Sequence, residues 1–233
     1  MSAEEITVVM LSFKVALLAT LFCLPVAVAL AFALARLEFR GKTLVNALAH
    51  LPLLLPPVVT GYLLLAAFGR KGYVGGPLLD VLGVTIAFKW TGAAVAAAVM
   101  ALPIMMQPIR VAFEVANVEL EEAARTLGAT RLQCFFTITL PLAAPGLIAA
   151  AVLGFVKSLG EFGATITFVS NIPGETQTLA LAIYSLIQTP NGDAAANRLI
   201  WLSIALAFAA LLLADAFSRR LRRGRISPTI PRK

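Results

Sequence analysis

Apolar residues run along this chain in blocks too long and too uniform for the two-faced helices and strands of a soluble fold. The first block, 11–35, is interrupted only by Lys14, close enough to one end for its stem to snorkel, and by Pro25, which can kink a helix. A helix needs about 20 apolar residues to cross hydrocarbon, so this block reads as a membrane span. Four more follow at 44–68, from 84 or 91 to 109, at 141–168 and at 198–217. The second carries His50, Pro52, Pro56, Pro57 and Gly61, and prolines at that density predict a bent or locally unwound span. A lone histidine there is best read as a hydrogen-bonded interface residue, with no chemistry assigned. Lys89 and Trp90 suit interfacial anchors before the third span.

Between the spans, 69–83 is turn-rich and polar and predicts a loop. Residues 170–192 are polar at both ends around a short apolar stretch, 179–187. That stretch is too short to cross and fits a re-entrant or interfacial helix. The expected architecture is an all-α integral membrane bundle of five helices, or six if the short one is counted.

One sizeable internal stretch breaks the pattern: 117–141. Asn117 can cap a helix, Glu119, Glu121 and Glu122 place negative charge in its first turns, and Gly128 can end it in the left-handed conformation. Leu120, Ala123, Ala124 and Leu127 form a narrow apolar stripe, while Glu121 and Arg125 stand four apart in the favourable acid-first order. Periodicity alone fits equally a helix packed on its own bundle and one that docks into a partner. After it, 130–136 predicts a second short helix that presses Phe135 and Phe136 on the membrane surface. Pro141 suits the first turn of the fourth span.

Composition sharpens the class. Hydrophobic residues are 60% of the 233, charged ones 13%, and the mean hydropathy is +0.90, far from the roughly half-apolar make-up of soluble domains. The net charge of +7 does not point to nucleic acid, because Arg219, Arg220, Arg222, Arg223, Arg225, Arg232 and Lys233 crowd the tail 218–233, where they mark a membrane flank. With five spans, Arg36, Arg40, Lys42, Arg110, Arg125, Arg131 and that tail fall on one side, against Arg70, Lys71 and Arg198 on the other. The richer side belongs in the cytoplasm. Residues 1–10 are then a periplasmic N-terminus, 11–217 the membrane domain, and 117–141 a cytoplasmic segment. Glu4 and Glu5 precede a run too long for a secretory signal, so the first span is read as retained. Cys23 and Cys134 have no evident disulfide partner, and no metal-ligand spacing occurs.

Two features mark the fourth block. Lys157 and Glu161, four apart near its middle, should face protein or water and pair with each other. Gly146, Ala150, Gly154 and Ser158 recur every fourth residue and let another helix approach closely. That stripe, with Gly160, Gly163 and Thr165, serves packing or forms a pathway or dimer face. Gly41-Lys42-Thr43 imitates the end of a phosphate-binding loop, but the required earlier glycine is Arg36 and no strand precedes it.

Glu122-Ala123-Ala124, three residues, Gly128, nine residues, then Ile138-Thr139-Leu140-Pro141 resembles the EAA signature of permease subunits of binding-protein-dependent ABC importers. The resemblance implies a type I ABC importer transmembrane domain, in which Glu121, Glu122, Ala123, Ala124, Arg125, Leu127 and Gly128 form a coupling helix for a separate ATPase. The stretches 160–165 and 171–178 are similar to the molybdate and sulfate permease subunits, and 50–62 and the short length are most like the molybdate ones. That likeness implies a non-enzymatic, cofactor-free homodimer in the bacterial inner membrane, with two ATPase copies and a periplasmic molybdate-binding protein. Sulfate, thiosulfate or tungstate is the alternative cargo. A secondary transporter, the reading from another class, should show more spans, inverted repeats and more intramembrane ionisable groups.

Overall fold

The computed structural model describes residues 2–223, and every regular element among them is helical. Helix α1, Ala3–Arg36, runs 34 residues without a break at Pro25, about 51 Å at 1.5 Å per residue. It starts earlier than its apolar run because Ser2 and Glu5 form a capping box that satisfies backbone donors at the helix N-terminus. Residues 3–10, expected ahead of the span, therefore belong to the same continuous helix as the span.

The second span is divided into α2, Lys42–Leu54, and α3, Pro57–Phe68, bent by 113°. Its cause is local. Leu55 and Pro56 adopt extended backbone angles, and Pro57 opens the next helix, where its missing N–H costs nothing. Residues 69–83 are not all loop, a correction to the sequence expectation: α4, Gly75–Leu82, lies there and ends on Gly83 at φ +65°. Its Leu78, Leu79, Val81 and Leu82 supply the apolar positions that the surrounding glycines mask.

Helix α5, Trp90–Val115, is followed by the short amphipathic α6, Val118–Thr126, and by α7, Arg131–Cys134. A π-helical turn, Phe135–Thr139, carries α7 into α8, Leu140–Leu159, so that Arg131–Leu159 is one 29-residue rod. This changes the expected separate helix at 130–136. Phe135 does not lie on the membrane surface either: its ring stands 5.0 Å from Phe32 and 6.3 Å from Phe113, inside the bundle, and Phe136 alone is exposed. The extra residue of the π turn rotates the helix face at this point.

The fourth block is also shorter than expected. The rod stops at Leu159, the chain turns through Gly160, and α9, Gly163–Val169, is a separate helix. Then come α10, Leu179–Ile187, and α11, Asp193–Arg223, which begins before the expected 198 because Asp193 and the alanines after it extend the helix. The tail beyond 223 lies outside the described residues. Among the described residues four helices are long and apolar enough to cross a membrane, and the count is five where the bent α2/α3 pair is taken as one span.

The core is the three-helix contact of α1, α5 and α8. Ala16, Ala19, Cys23, Ala27 and Ala31 give α1 a flat buried edge, against which Ala93, Ala96, Ala97 and Ala101 of α5 lie. Small side chains bring the backbones close, and in lipid this packing does the work that water exclusion does elsewhere. Cys23 Sγ donates to Ala98 O at 3.4 Å across the seam. Helices α1 and α5 run parallel: Lys14, a third of the way along α1, meets Trp90 at the start of α5, and Arg36 reaches Ala116 O where both helices end. Arg198 of α11 reaches Glu5 with Nη2 to Oε1 at 2.7 Å, which brings the start of the last helix to the start of the first.

Candidate functional site: the helix at the end of the bundle

Helix α6 is built to begin and end abruptly. Asn117 Oδ1 accepts from Glu119 N at 2.8 Å, and Glu119 and Glu121 stand in the first turn, where the helix dipole favours them. At the other end Ala129 N donates to Ala124 O at 3.1 Å and Gly128 N to Arg125 O at 3.0 Å, with Gly128 at φ +92°. This double closure needs a left-handed residue, which glycine supplies without a Cβ penalty.

None of the residues of α6 is buried within the chain. Glu122, Ala123, Arg125, Leu127 and Gly128 are exposed and Ala124 is half-buried. Leu120 is 49% and Leu127 89% exposed, so two leucines of the expected stripe leave much of their apolar surface uncovered. Glu121 is the member that turns inward. It does not pair with Arg125, as the four-residue spacing suggested. Its Oε1 accepts from Arg36 Nη2 at 3.3 Å and from Thr139 Oγ1 at 2.9 Å, and the same Arg36 nitrogen donates to Ala116 O at 2.8 Å. One carboxylate thus joins α6 to the end of α1 and to the π turn, while Arg36 holds the end of α5. Arg36 and Thr139 were not expected at this site. The signal was present in principle, since an arginine ends an apolar run that must finish near the acidic first turn of α6.

Two further polar contacts fix α2 beside the same end of α5. Gln107 Nε2 lies 2.8 Å from His50 Nε2, whose Nδ1 lies 2.8 Å from Asn46 O, and Arg110 donates to Asn46 Oδ1 at 3.3 Å and to Glu114 at 2.8 Å.

At the other end of α8, Lys157 Nζ is paired with Glu161 Oε2, and Glu161 Oε1 also accepts from Ala164 N at 3.1 Å. Glu161 is 3% exposed, so its charge is held by a cation and by the first turn of α9 together. The small-residue stripe is filled within the chain. A Cβ on Gly146 would stand 2.5 Å from Ala112 Cβ and 2.6 Å from Pro108 O, and one on Gly154 would collide with Met105. Ala150, Ser158 and Thr165 are buried and Gly163 lies against Pro57, which leaves Gly160 as the exposed member of that set. A close approach missed from sequence joins α3 to α9: a Cβ at Gly61 would lie 2.5 Å from Ala164 O.

Among the described residues, then, a bundle of helices long enough to cross a membrane carries at one end a short amphipathic helix whose outer face nothing in the chain covers. The family model for the binding-protein-dependent transport system inner membrane component matches residues 24–223, and this chain belongs to that family. It is a multi-pass inner membrane protein. The molybdenum transport system permease protein ModB of Escherichia coli is 57% identical over 219 residues, 93% of this chain and 96% of that one. The ModB of Haemophilus influenzae is 50% identical over 94% and 96%. The sulfate transport system permease protein CysT of Salmonella typhimurium is 38% identical over 82% and 70%. Among solved structures, a bacterial ABC transporter involved in the import of the acidic polysaccharide alginate matches with TM-score 0.74 at 22% identity, over 94% of this chain and 80% of that one. That likeness is one of fold: the type I ABC importer transmembrane domain.

Proposed function

We propose that this chain is the permease subunit of a molybdate importer, powered by a separate ATPase and supplied by a periplasmic binding protein. The observation that carries the substrate is the 57% identity, across nearly the whole of both chains, to a molybdenum transport permease, against 38% to a sulfate one. Molybdate and sulfate are both tetrahedral dianions, so a pathway that passes one has little means to refuse the other, and the delivering protein makes most of the selection.

The mechanism in this reading follows from α6. Leu120, Ala123, Ala124 and Leu127 seat in a cleft of the ATPase, with Glu122 and Arg125 on its rim. Two copies of the chain around a twofold axis enclose the pathway, each with one ATPase. Nucleotide binding brings the ATPases together, and Glu121 carries the displacement of α6 into α1 and α8 through Arg36 and Thr139. The pathway opens outward when the ATPases close and inward when they part. Cationic residues gathered near α6 support a cytoplasmic placement of that end and a periplasmic N-terminus.

The test is uptake by proteoliposomes holding this chain, its ATPase and its binding protein. Molybdate accumulation that requires both ATP and the binding protein is expected. Sulfate accumulation without molybdate would overturn the cargo, and uptake driven by an ion gradient without ATP would overturn the class.

A further inference from the structure

Between α1 and α5, on the bundle surface, lies an apolar groove of about 240 Å³ lined chiefly by Leu18, Phe22, Trp90, Ala94, Val95 and Ala98. Its residues descend both helices in steps of four, from 18 to 22 on α1 and from 90 through 94 to 98 on α5, so it runs along the helices for about 12 Å. The groove exists because Ala94 and Ala98 are small where a larger residue would fill the seam. Near its lower end the helices touch, at Cys23 Sγ and Ala98 O.

The upper end is cationic. Lys14 Nζ stands 3.5 Å over the Trp90 ring, and Lys89 is the residue before Trp90. Arg70 and Lys71 line, with Lys89, an adjoining pocket of about 810 Å³ that has no acidic residue among those lining it. Lys14, Lys89, Arg70 and Lys71 make no ion pair among the described residues. The depth of this end in the membrane is set by the backbone. Residues 83–89 are not helical, and irregular backbone exposed to lipid is not stable within hydrocarbon. Trp90 therefore stands at the headgroup level, where tryptophan is enriched, and the groove below it faces acyl chains.

We infer that this groove is a binding site for an anionic phospholipid, one acyl chain lying along Leu18, Phe22, Ala94 and Ala98 and the headgroup phosphate between Lys14 and Lys89. Charge complementarity selects the occupant. A zwitterionic lipid would fill the groove and bring a phosphate, but its own headgroup cation cancels that charge and is repelled by Lys14, Lys89, Arg70 and Lys71, whereas a soluble anion would match the ammonium groups and leave the groove empty. The site lies at the end of the bundle opposite α6. It depends on the membrane location of the chain and not on what the chain transports, so an uptake failure leaves it standing.

Trp90 reports on the site directly. The sequence has two tryptophans, and Trp201→Phe, at a position 70% exposed, leaves Trp90 alone. This variant is reconstituted in phosphatidylcholine containing a minor fraction of acyl-brominated phosphatidylglycerol or, in parallel, acyl-brominated phosphatidylcholine. The expected result is quenching by the anionic lipid roughly fivefold or more stronger per mole than by the neutral one. Adding Lys14→Met and Lys89→Gln should bring the ratio to about one with the helical circular dichroism unchanged, and Ala94→Phe should weaken quenching by both lipids. Equal quenching before the lysines are changed, a ratio indifferent to their loss, or a Trp90 that neither lipid reaches would overturn the inference.

Discussion

Replacing Glu121 by alanine tests how α6 is attached to the bundle. Its Oε1 accepts from Thr139 at 2.9 Å and from Arg36 at 3.3 Å, with the Arg36 and Glu121 side chains 16% and 24% exposed. Breaking a fully buried pair costs about 3–5 kcal/mol, and a hydrogen bond to a charged group contributes about 1.5–3. The longer Arg36 contact and the residual exposure place this junction toward the lower figures, so Glu121→Ala should destabilise by about 2–3 kcal/mol. Arg36 would be left with Ala116 O at 2.8 Å and with an Nε that is buried without a hydrogen-bond partner. Glu121→Gln keeps an acceptor for Thr139 and should cost about half as much. The assay has two arms. The apparent unfolding midpoint in nanodiscs reports the attachment, and the ratio of ions imported to ATP hydrolysed in proteoliposomes reports transmission. Both should fall in Glu121→Ala while the ATPase still binds, because the exposed leucines are untouched. Arg36→Met combined with Glu121→Ala should cost less than the sum of the two singles by about 1 kcal/mol or more. Strict additivity, or a Glu121→Ala protein with the parent's midpoint and coupling ratio, would refute the reasoning.

Leu127→Asp should weaken ATPase binding roughly tenfold to a hundredfold, the loss expected when a side chain worth about 1.5–3 kcal/mol no longer buries. Gly128→Val should lower it too by straining the φ of +92°, and titration with the purified ATPase measures both. Lys157→Met strands a carboxylate that is 3% exposed, so folded yield should drop, and Lys157→Met with Glu161→Gln should recover part of it, with yield and unfolding midpoint as the readouts. Gly146→Ala should cost more than Gly154→Ala, about 1–3 kcal/mol, because rigid backbone and Ala112 crowd the first position and the flexible Met105 the second; equal midpoints for the two would contradict the packing described.

Apolar block length, prolines and charge placement determined much of this protein without a structure. The long apolar helices follow from hydrocarbon thickness, the bend between α2 and α3 from Pro56 and Pro57, and the amphipathic helix from Asn117, the glutamates and Gly128. These are local: each depends on neighbours within a turn or two, or on the thickness of the solvent itself. What the sequence did not carry was partner choice. Glu121 had Arg125 within one helical turn, and only the convergence of α1, α5 and the π turn offers Arg36 and Thr139 instead. The glycine stripe announced a close approach without naming its occupant, which is α5 of the same chain. Phe135 is half-buried against the core because its ring, at the start of five residues of π-helix, faces Phe32 and Phe113, a change of helical phase that no apolar count records. Side chains that meet from segments some 85 residues apart are selected by the packing of whole helices, and that packing exists only once the bundle has formed.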